Sequence, residues 1–215
     1  MTILELRQYT LHPGRRDELI ELFEREFVES QEELGAQIVG TFRDVRDPDR
    51  FVWVRGFSDM PARRAALAGF YGGPVWKRHR DAANATMVDF DDVLLLEPVG
   101  SGFPDAPRVA VGAGRAGPSR VLVVVRTGDG VEAAADDAES LLGVRPVVAR
   151  TAPYANDFPA LPVRDEQAVV WFASFPAADA LGAARERLDT DPSWQAAAKS
   201  VQVLELEPTA RSALR

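Results

Sequence analysis

The chain has 215 residues, a formal net charge of −8, 46% hydrophobic and 27% charged residues. That balance is typical of a globular protein and works against nucleic acid, whose binders need a basic face to release counterions. With no cysteine, disulfides, thiolate nucleophiles and Cys-ligated metals are excluded.

Residues 2–12 alternate as a strand. Ile3, Glu5, Arg7, Tyr9 and Leu11 share one face; Leu4, Leu6, Gln8, Thr10 and His12 share the other. Pro13-Gly14 ends it. From Asp17 to about Leu34, apolar residues at Leu19, Ile20, Leu22, Phe23, Phe27 and Val28 form one helical stripe, with Gly35 as a stop. A strand over Gln37–Val45, a turn at Arg46–Arg50 and a strand over Phe51–Phe57 follow. Ser58 or Asp59 caps the next helix, which is expected to run to about Leu67 and break at Gly69–Pro74. A short helix, Val75–Asn84, and a strand, Thr86–Glu97, complete the order β-α-β-β-α-β, the ferredoxin-like unit.

Residues 99–119, rich in Gly and Pro, read as a linker, with Arg108–Val111 as a candidate edge strand. The order then repeats: strand Arg120–Thr127, helix Val131–Leu142, strand Val144–Thr151, a longer hairpin loop Ala152–Glu166, strand Gln167–Phe175, helix Ala177–Leu188, short helix Pro192–Lys199 and strand Val201–Glu207. Trp53, Phe57 and Trp76 recur 118 residues later as Trp171, Phe175 and Trp194. Repeats of this size are whole domains. The expected division is residues 1–98, a linker 99–119, residues 120–208 and a tail 209–215. The fold class is α+β, two tandem ferredoxin-like units packed as an internal pseudo-dimer. A single unit covers only one face of its sheet, so the two sheets are expected to face each other.

No apolar run reaches the roughly 18–20 residues that span a bilayer, and the first residues show no basic region before an apolar core. A cytoplasmic protein without membrane or nucleic-acid partners is expected. The Ala/Arg/Gly/Asp-rich composition points to a high-GC bacterium.

Leu4-Glu5-Leu6-Arg7-Gln8-Tyr9-Thr10-Leu11-His12-Pro13-Gly14, Ile38–Phe42, Val52–Phe57 and the helix bearing Trp76 together resemble the NIPSNAP family. The resemblance covers about residues 2–98; the second half resembles the superfamily in pattern only. It implies a dimeric α/β-barrel, a fold shared by antibiotic-biosynthesis monooxygenases, heme-degrading enzymes, chlorite dismutases, isomerases and cyclases. A fold hosts functions rather than implying one.

Glu5, Arg7 and Tyr9 share a face of the first strand; Trp53 and Arg55 share a face of the third. If both faces line the space between the sheets, they surround an aromatic pocket there. Arg7 and Arg55 would orient an anion, with Glu5 and Trp53 also contacting substrate. Tyr9 or His79 would serve as acid or base. The alternative is a Glu–Arg pair that only fixes register. Heme-degrading relatives place an axial His on the helix that here carries His79, but Lys77, Arg78 and Arg80 around it suit a solvated face. His12 reads as a turn residue, Asp89, Asp91 and Asp92 as a solvated strand end, and the paired tryptophans as packing anchors. No cofactor or metal is expected. Three roles stay open: an enzyme of secondary metabolism that oxygenates, isomerises or cyclises a small organic molecule without a cofactor; a non-catalytic binding or assembly module; and a heme protein. A small-molecule ligand is the expected partner, with association of further copies through free sheet edges as an option.

Overall fold

A computed structural model of the protein describes residues 1–104, 106–128, 138–192, 194 and 200–215. Eight strands form one closed antiparallel barrel. In the first half β1 is Ile3–Leu11, β2 Gln37–Asp44, β3 Arg50–Phe57 and β4 Met87–Val99; in the second, β5 is Arg120–Thr127, β6 Val147–Thr151, β7 Ala168–Phe175 and β8 Ser200–Pro208. Their order around the barrel is β1-β3-β2-β8-β5-β7-β6-β4. Each half is a ferredoxin-like sheet with its first and third strands in the centre. The outer strands join at two seams: Phe42–Asp44 of β2 on β8, and Leu96–Val99 of β4 on β6. Edges expected to be free for another copy are thus paired within the chain. An exposed ladder edge seeks a partner, and the second half supplies one covalently.

The helices lie outside. Residues 16–32 form one helix interrupted by a π turn: α1 Arg16–Leu22, the turn Phe23–Phe27, and α2 Val28–Glu32. α3 (Met60–Gly72) starts at Asp59, whose carboxylate accepts from Ala62 N at 2.7 Å. It passes through Gly69 rather than ending before it. Gly69 sits against Leu34, where even a Cβ would come within 3.0 Å of Cδ2, so this glycine permits close packing and breaks nothing. The stop is Gly73, and α4 (Pro74–Asn84) begins with proline in its first turn. In the second half α5 is Ala138–Leu142 and α6 Ala178–Thr190. The helix expected over Val131–Leu142 is described only from Ala138, and the one over Pro192–Lys199 lies mostly outside the described residues. β3 and α3 map onto β7 and α6 at the 118-residue offset.

The barrel interior is aliphatic. Leu4, Leu6, Val52, Val54, Leu94 and Leu96 meet Val121, Val123, Val125, Val170, Phe172, Leu204 and Leu206, all buried. Gln8 and Gln202 close one end with a reciprocal amide pair, each bond 2.9 Å. The expected cavity between the sheets is therefore filled. The reason lies in the alternation: even-numbered positions of β1 and β3 are the drier face, and they turn inward against the valines of the second half. Glu5, Arg7, Tyr9, Trp53 and Arg55 turn outward, under the helices.

The segment between β4 and β5 forms no strand at 108–111. Phe103 packs into the barrel core, and Arg108 donates to the carbonyls of Ile38 and Arg211 and to Glu32. Buried Arg211 donates to the carbonyls of Val109 and Glu24 and to Glu29. Among the described residues no helix is long and apolar enough to cross a membrane.

Candidate functional site

Glu5 stands at the centre of a buried ionic cluster. Its Oε2 accepts from Arg7 Nη1 at 2.8 Å and from Arg55 Nε at 2.8 Å, and lies 2.7 Å from Arg55 Nη2. The Nη2 approach is poorly directed for a hydrogen bond and acts mainly through charge. Oε1 accepts from Arg63 Nε at 2.7 Å. All four side chains are 0–1% exposed. Burial alone would push the Glu5 carboxyl up, but Arg55, Arg7 and Arg63 outweigh it and hold it well below the ordinary carboxylate range. Glu5 is fixed as an anion.

Arg63 comes from α3, where it shares the buried stripe with Ala66, Leu67 and Phe70. An arginine on an apolar stripe points to a buried partner for its charge, and that signal was present in the sequence. Its other partners are Asn156 at 3.2 Å and Asp157 at 2.5 Å, both from the loop between β6 and β7. Arg55 Nη1 donates to Gln31 Oε1 at 2.8 Å, and Gln31 Nε2 donates to the Phe27 carbonyl at 2.9 Å. That carbonyl belongs to the π turn. π turns rearrange the backbone ladder and recur at functional sites; this one ties the helix to the arginine cluster.

Arg7 leads from the cluster to a pocket of about 240 Å³ lined by Arg7, Tyr9, Tyr71, Trp76, Asn84, Met87, Phe90, Phe158, Ala160 and Leu161. A deeper recess of about 30 Å³ shares Tyr9, Tyr71, Trp76 and Met87 and adds Phe23, Phe27, Trp53 and Phe70. The walls are edge-to-face aromatics: Tyr9 meets Trp53 at 5.9 Å and Phe90 at 6.4 Å, and Tyr71 meets Trp76 at 4.9 Å. The Arg7 and Arg55 guanidinium carbons lie 5.5 and 5.0 Å from the Trp53 ring. A larger groove, about 650 Å³, runs between Val99–Gly102 and Pro146–Val148. It is open, and its charged residues Glu139 and Arg145 are exposed, so it lacks the buried polarity of a chemical site.

Tyr9 is the polar group best placed for chemistry. Arg7 Nε donates to its phenol oxygen at 3.1 Å, which leaves the phenol proton free to donate. Burial raises its pKa, against the opposing pull of Arg7. Tyr9 is thus a neutral hydrogen-bond donor at physiological pH rather than a base. Arg7 stays charged: burial works against the cation, and the Glu5 carboxylate and the hydrogen bond to the Tyr9 oxygen favour it.

The structure brings Glu5, Arg7, Tyr9, Trp53 and Arg55 together. It does not bring His79 to them. His79 Nε2 lies 3.5 Å from Glu26, its ring packs on Phe27, and it is not among the residues lining the pocket. Those contacts do not fit an axial heme ligand facing the pocket. His12 is an exposed turn residue whose N–H donates to the Thr86 carbonyl. Asp92 pairs with Arg164 at 2.8 Å, and Asp89 accepts from the Asp91 N–H. No group of acidic or histidine side chains able to hold a metal occurs among the described residues.

Residues 4–100 match the NIPSNAP family. The matched segment holds the whole ionic cluster except the Asn156–Asp157 contact. No curated protein matches the chain. Among solved structures, a provisionally named monooxygenase from Fusobacterium nucleatum aligns with 99% of this chain and 95% of its own, at 8% identity and a TM-score of 0.62. An anthrone oxidase-like protein aligns over 97% and 91%, at 14% identity and a TM-score of 0.60. Both establish the complete two-unit barrel as a known fold. A NIPSNAP-like domain protein from Burkholderia xenovorans covers 49% of this chain and 92% of its own, at 26% identity and a TM-score of 0.44.

Proposed function

We propose that the chain is an enzyme acting on a small aromatic molecule with one acidic oxygen, such as a phenol or enol. The observation that carries this reading is the charge balance behind the pocket. Three buried guanidiniums, Arg7, Arg55 and Arg63, meet two carboxylates, Glu5 and Asp157, leaving one positive charge beside an aromatic cavity. A buried excess charge is costly unless an anion completes it. Arg7 and the Tyr9 hydroxyl face the cavity together and would receive that anion's oxygen.

The chemistry supported is electrostatic. Donors already in place stabilise negative charge as it develops on oxygen, with no reorganisation at the moment of reaction. A bound phenol or enol would lose its proton to water more readily beside Arg7. The resulting carbanion character at the neighbouring carbon suits oxygenation by dissolved dioxygen, isomerisation or cyclisation without a bound cofactor. The neighbours named as a monooxygenase and as anthrone oxidase-like have the same fold and are consistent with this class. A volume of about 240 Å³ is below the roughly 300–1,000 Å³ of drug-sized sites, which limits the ligand to a few rings.

4-Nitrophenol tests the reading, because its anion is yellow. Bound at pH 6, it should absorb as the phenolate, and Arg7→Met should abolish the colour while Tyr9→Phe weakens it. No spectral shift with the wild-type protein would overturn the proposal. A second reading, a non-catalytic binding module, is favoured by the lining itself, which includes no carboxylate or imidazole to act as a base. Oxygen uptake with acidic aromatic substrates separates the two.

A further inference from the structure

The hairpin loop joins the two halves in an unequal way. In the first half β2 and β3 are linked by Val45–Asp49; in the second, β6 and β7 are linked by the much longer Ala152–Gln167. The ends of the long loop are stitched to β4, a strand of the other unit: Ala152 N donates to the Leu95 carbonyl and Arg164 N to the Val93 carbonyl. Its crown crosses to α3 and the pocket. Phe158, Ala160 and Leu161 form one wall, and Phe158 packs on Tyr71 at a tilt, with ring centres 6.2 Å apart and planes at 30°. The crown is braced internally: Asn156 Nδ2 donates to the Leu161 carbonyl, and Asn156 Oδ1 accepts from Phe158 N. Next to that brace, Asp157 takes Arg63, the arginine that reaches Glu5.

We infer that this loop of the C-terminal unit is the specificity element of the N-terminal site: Phe158, packed on Tyr71, bounds the pocket, and Asp157 fixes the loop through Arg63. The inference rests on the reading of the pocket as a site for a small aromatic anion. It gives the diverged second unit a role that a barrel-completing sheet alone would not require. A planar ligand in the pocket lies against Phe158 and Tyr71, which touch each other, and so meets a wall tied to the same ionic cluster that holds Arg7. Pocket width and anion-binding geometry are thus set together.

The experiment uses the full chain and three probes of increasing ring number: 4-nitrophenol, 2-naphthol and 2-hydroxyanthracene. It also follows acrylamide quenching of tryptophan fluorescence. Trp53, Trp171 and Trp194 are buried and Trp76 only partly so, so quenching reports chiefly on the pocket, with Trp76→Phe as control. Wild type should prefer one or two rings. Phe158→Ala should bind the three-ring probe about tenfold or more tighter, as expected for space opened in an apolar slot, and should raise Trp76 quenching. Asp157→Asn should free the loop from Arg63, a partner buried at 0% exposure against 23% for Asp157, and so raise Trp76 quenching. Unchanged ring preference and quenching in both variants would overturn the inference. Raised quenching with no probe bound by any variant would uphold the loop as the pocket wall and overturn the ligand class instead.

Discussion

The two units present the same scaffold with opposite chemistry on the face under the helices. Strand registers place Arg7 beside Trp53 and Val124 beside Trp171, so the positions correspond directly. Glu5, Arg7, Tyr9 and Arg55 in the first unit stand where Leu122, Val124, Arg126 and Ala173 stand in the second. The tryptophans are kept; the ionic cluster is not. Leu122, Val124 and Ala173 pack with Leu142, Leu181 and Leu188 in an ordinary apolar layer. Among the described residues Arg126 alone carries charge there, 4.9 Å from the Trp194 ring and 5.8 Å from that of Trp171, with Nε and Nη2 unbonded. If the apolar version of this face, as far as it is described, supports the fold, the ionic version is not needed for the fold's sake.

The largest expected effect tests that inference. Glu5→Gln leaves Arg7, Arg55 and Arg63 facing one another and should cost about 3–5 kcal/mol, the penalty for stripping a buried cluster of its counter-charge, read as a lower urea midpoint. Replacing the cluster as a set, with Glu5→Leu, Arg7→Met, Arg55→Met and Arg63→Met together, should restore stability to wild type or raise it by about 1–4 kcal/mol, while 4-nitrophenol binding disappears. Loss of stability comparable to the single variant would mean that the cluster serves the fold after all.

Acid provides a milder version of the same test. The folded-state pKa of Glu5 lies below its unfolded value, so its contribution is fully present above the unfolded value near pH 4.3 and is lost only as pH falls towards the lower folded one. The difference in unfolding free energy between wild type and Glu5→Gln should stay constant from pH 7 to about 5 and shrink below pH 4. Tyr9 shifts upward, so its ionisation should appear above the usual tyrosine value near 10, and Tyr9→Phe should remove that late step from an absorbance titration at alkaline pH.

The contrast between the units also explains what was legible in the sequence. The repeat was, because packing residues recur at a constant spacing and β3 and α3 return as β7 and α6. The site residues on β1 and β3 were visible as polar groups on alternating strands. Their orientation was not, since both faces of β1 are nearly continuous burial and the choice depends on which face the second unit's valines cover. Arg63 was within reach as a charge on a helical stripe. Gln31, Asp157 and Phe158 were not: their roles arise from contacts across 24 to 94 residues of chain and from a π turn that no spacing rule announces.

In the second unit Arg126→Met removes a buried guanidinium that has aromatic neighbours but no carboxylate among the described residues. Cation–π contacts of about 0.5–2 kcal/mol offset part of the desolvation cost, so the variant should be neutral or stabilised by about 1 kcal/mol. A clear loss of stability would place a counter-charge near Arg126 and make the second unit's face less apolar than it now reads.

The smallest effect concerns the residues the units share. Trp53 and Trp171 are both buried, and the indole Nε1 of each lacks an acceptor among the described residues. Neither ring depends on a hydrogen bond, so each is held by packing and by its neighbouring guanidinium. Trp53→Phe and Trp171→Phe should therefore destabilise by amounts that differ by no more than about 0.5 kcal/mol, even though one ring backs the pocket and the other an apolar layer. If Trp53→Phe proved much the more costly, the indole would be part of the ionic cluster's support and not merely its backing. Equal costs would confine the functional difference between the units to Glu5, Arg7, Tyr9 and Arg55 and the partners they recruit.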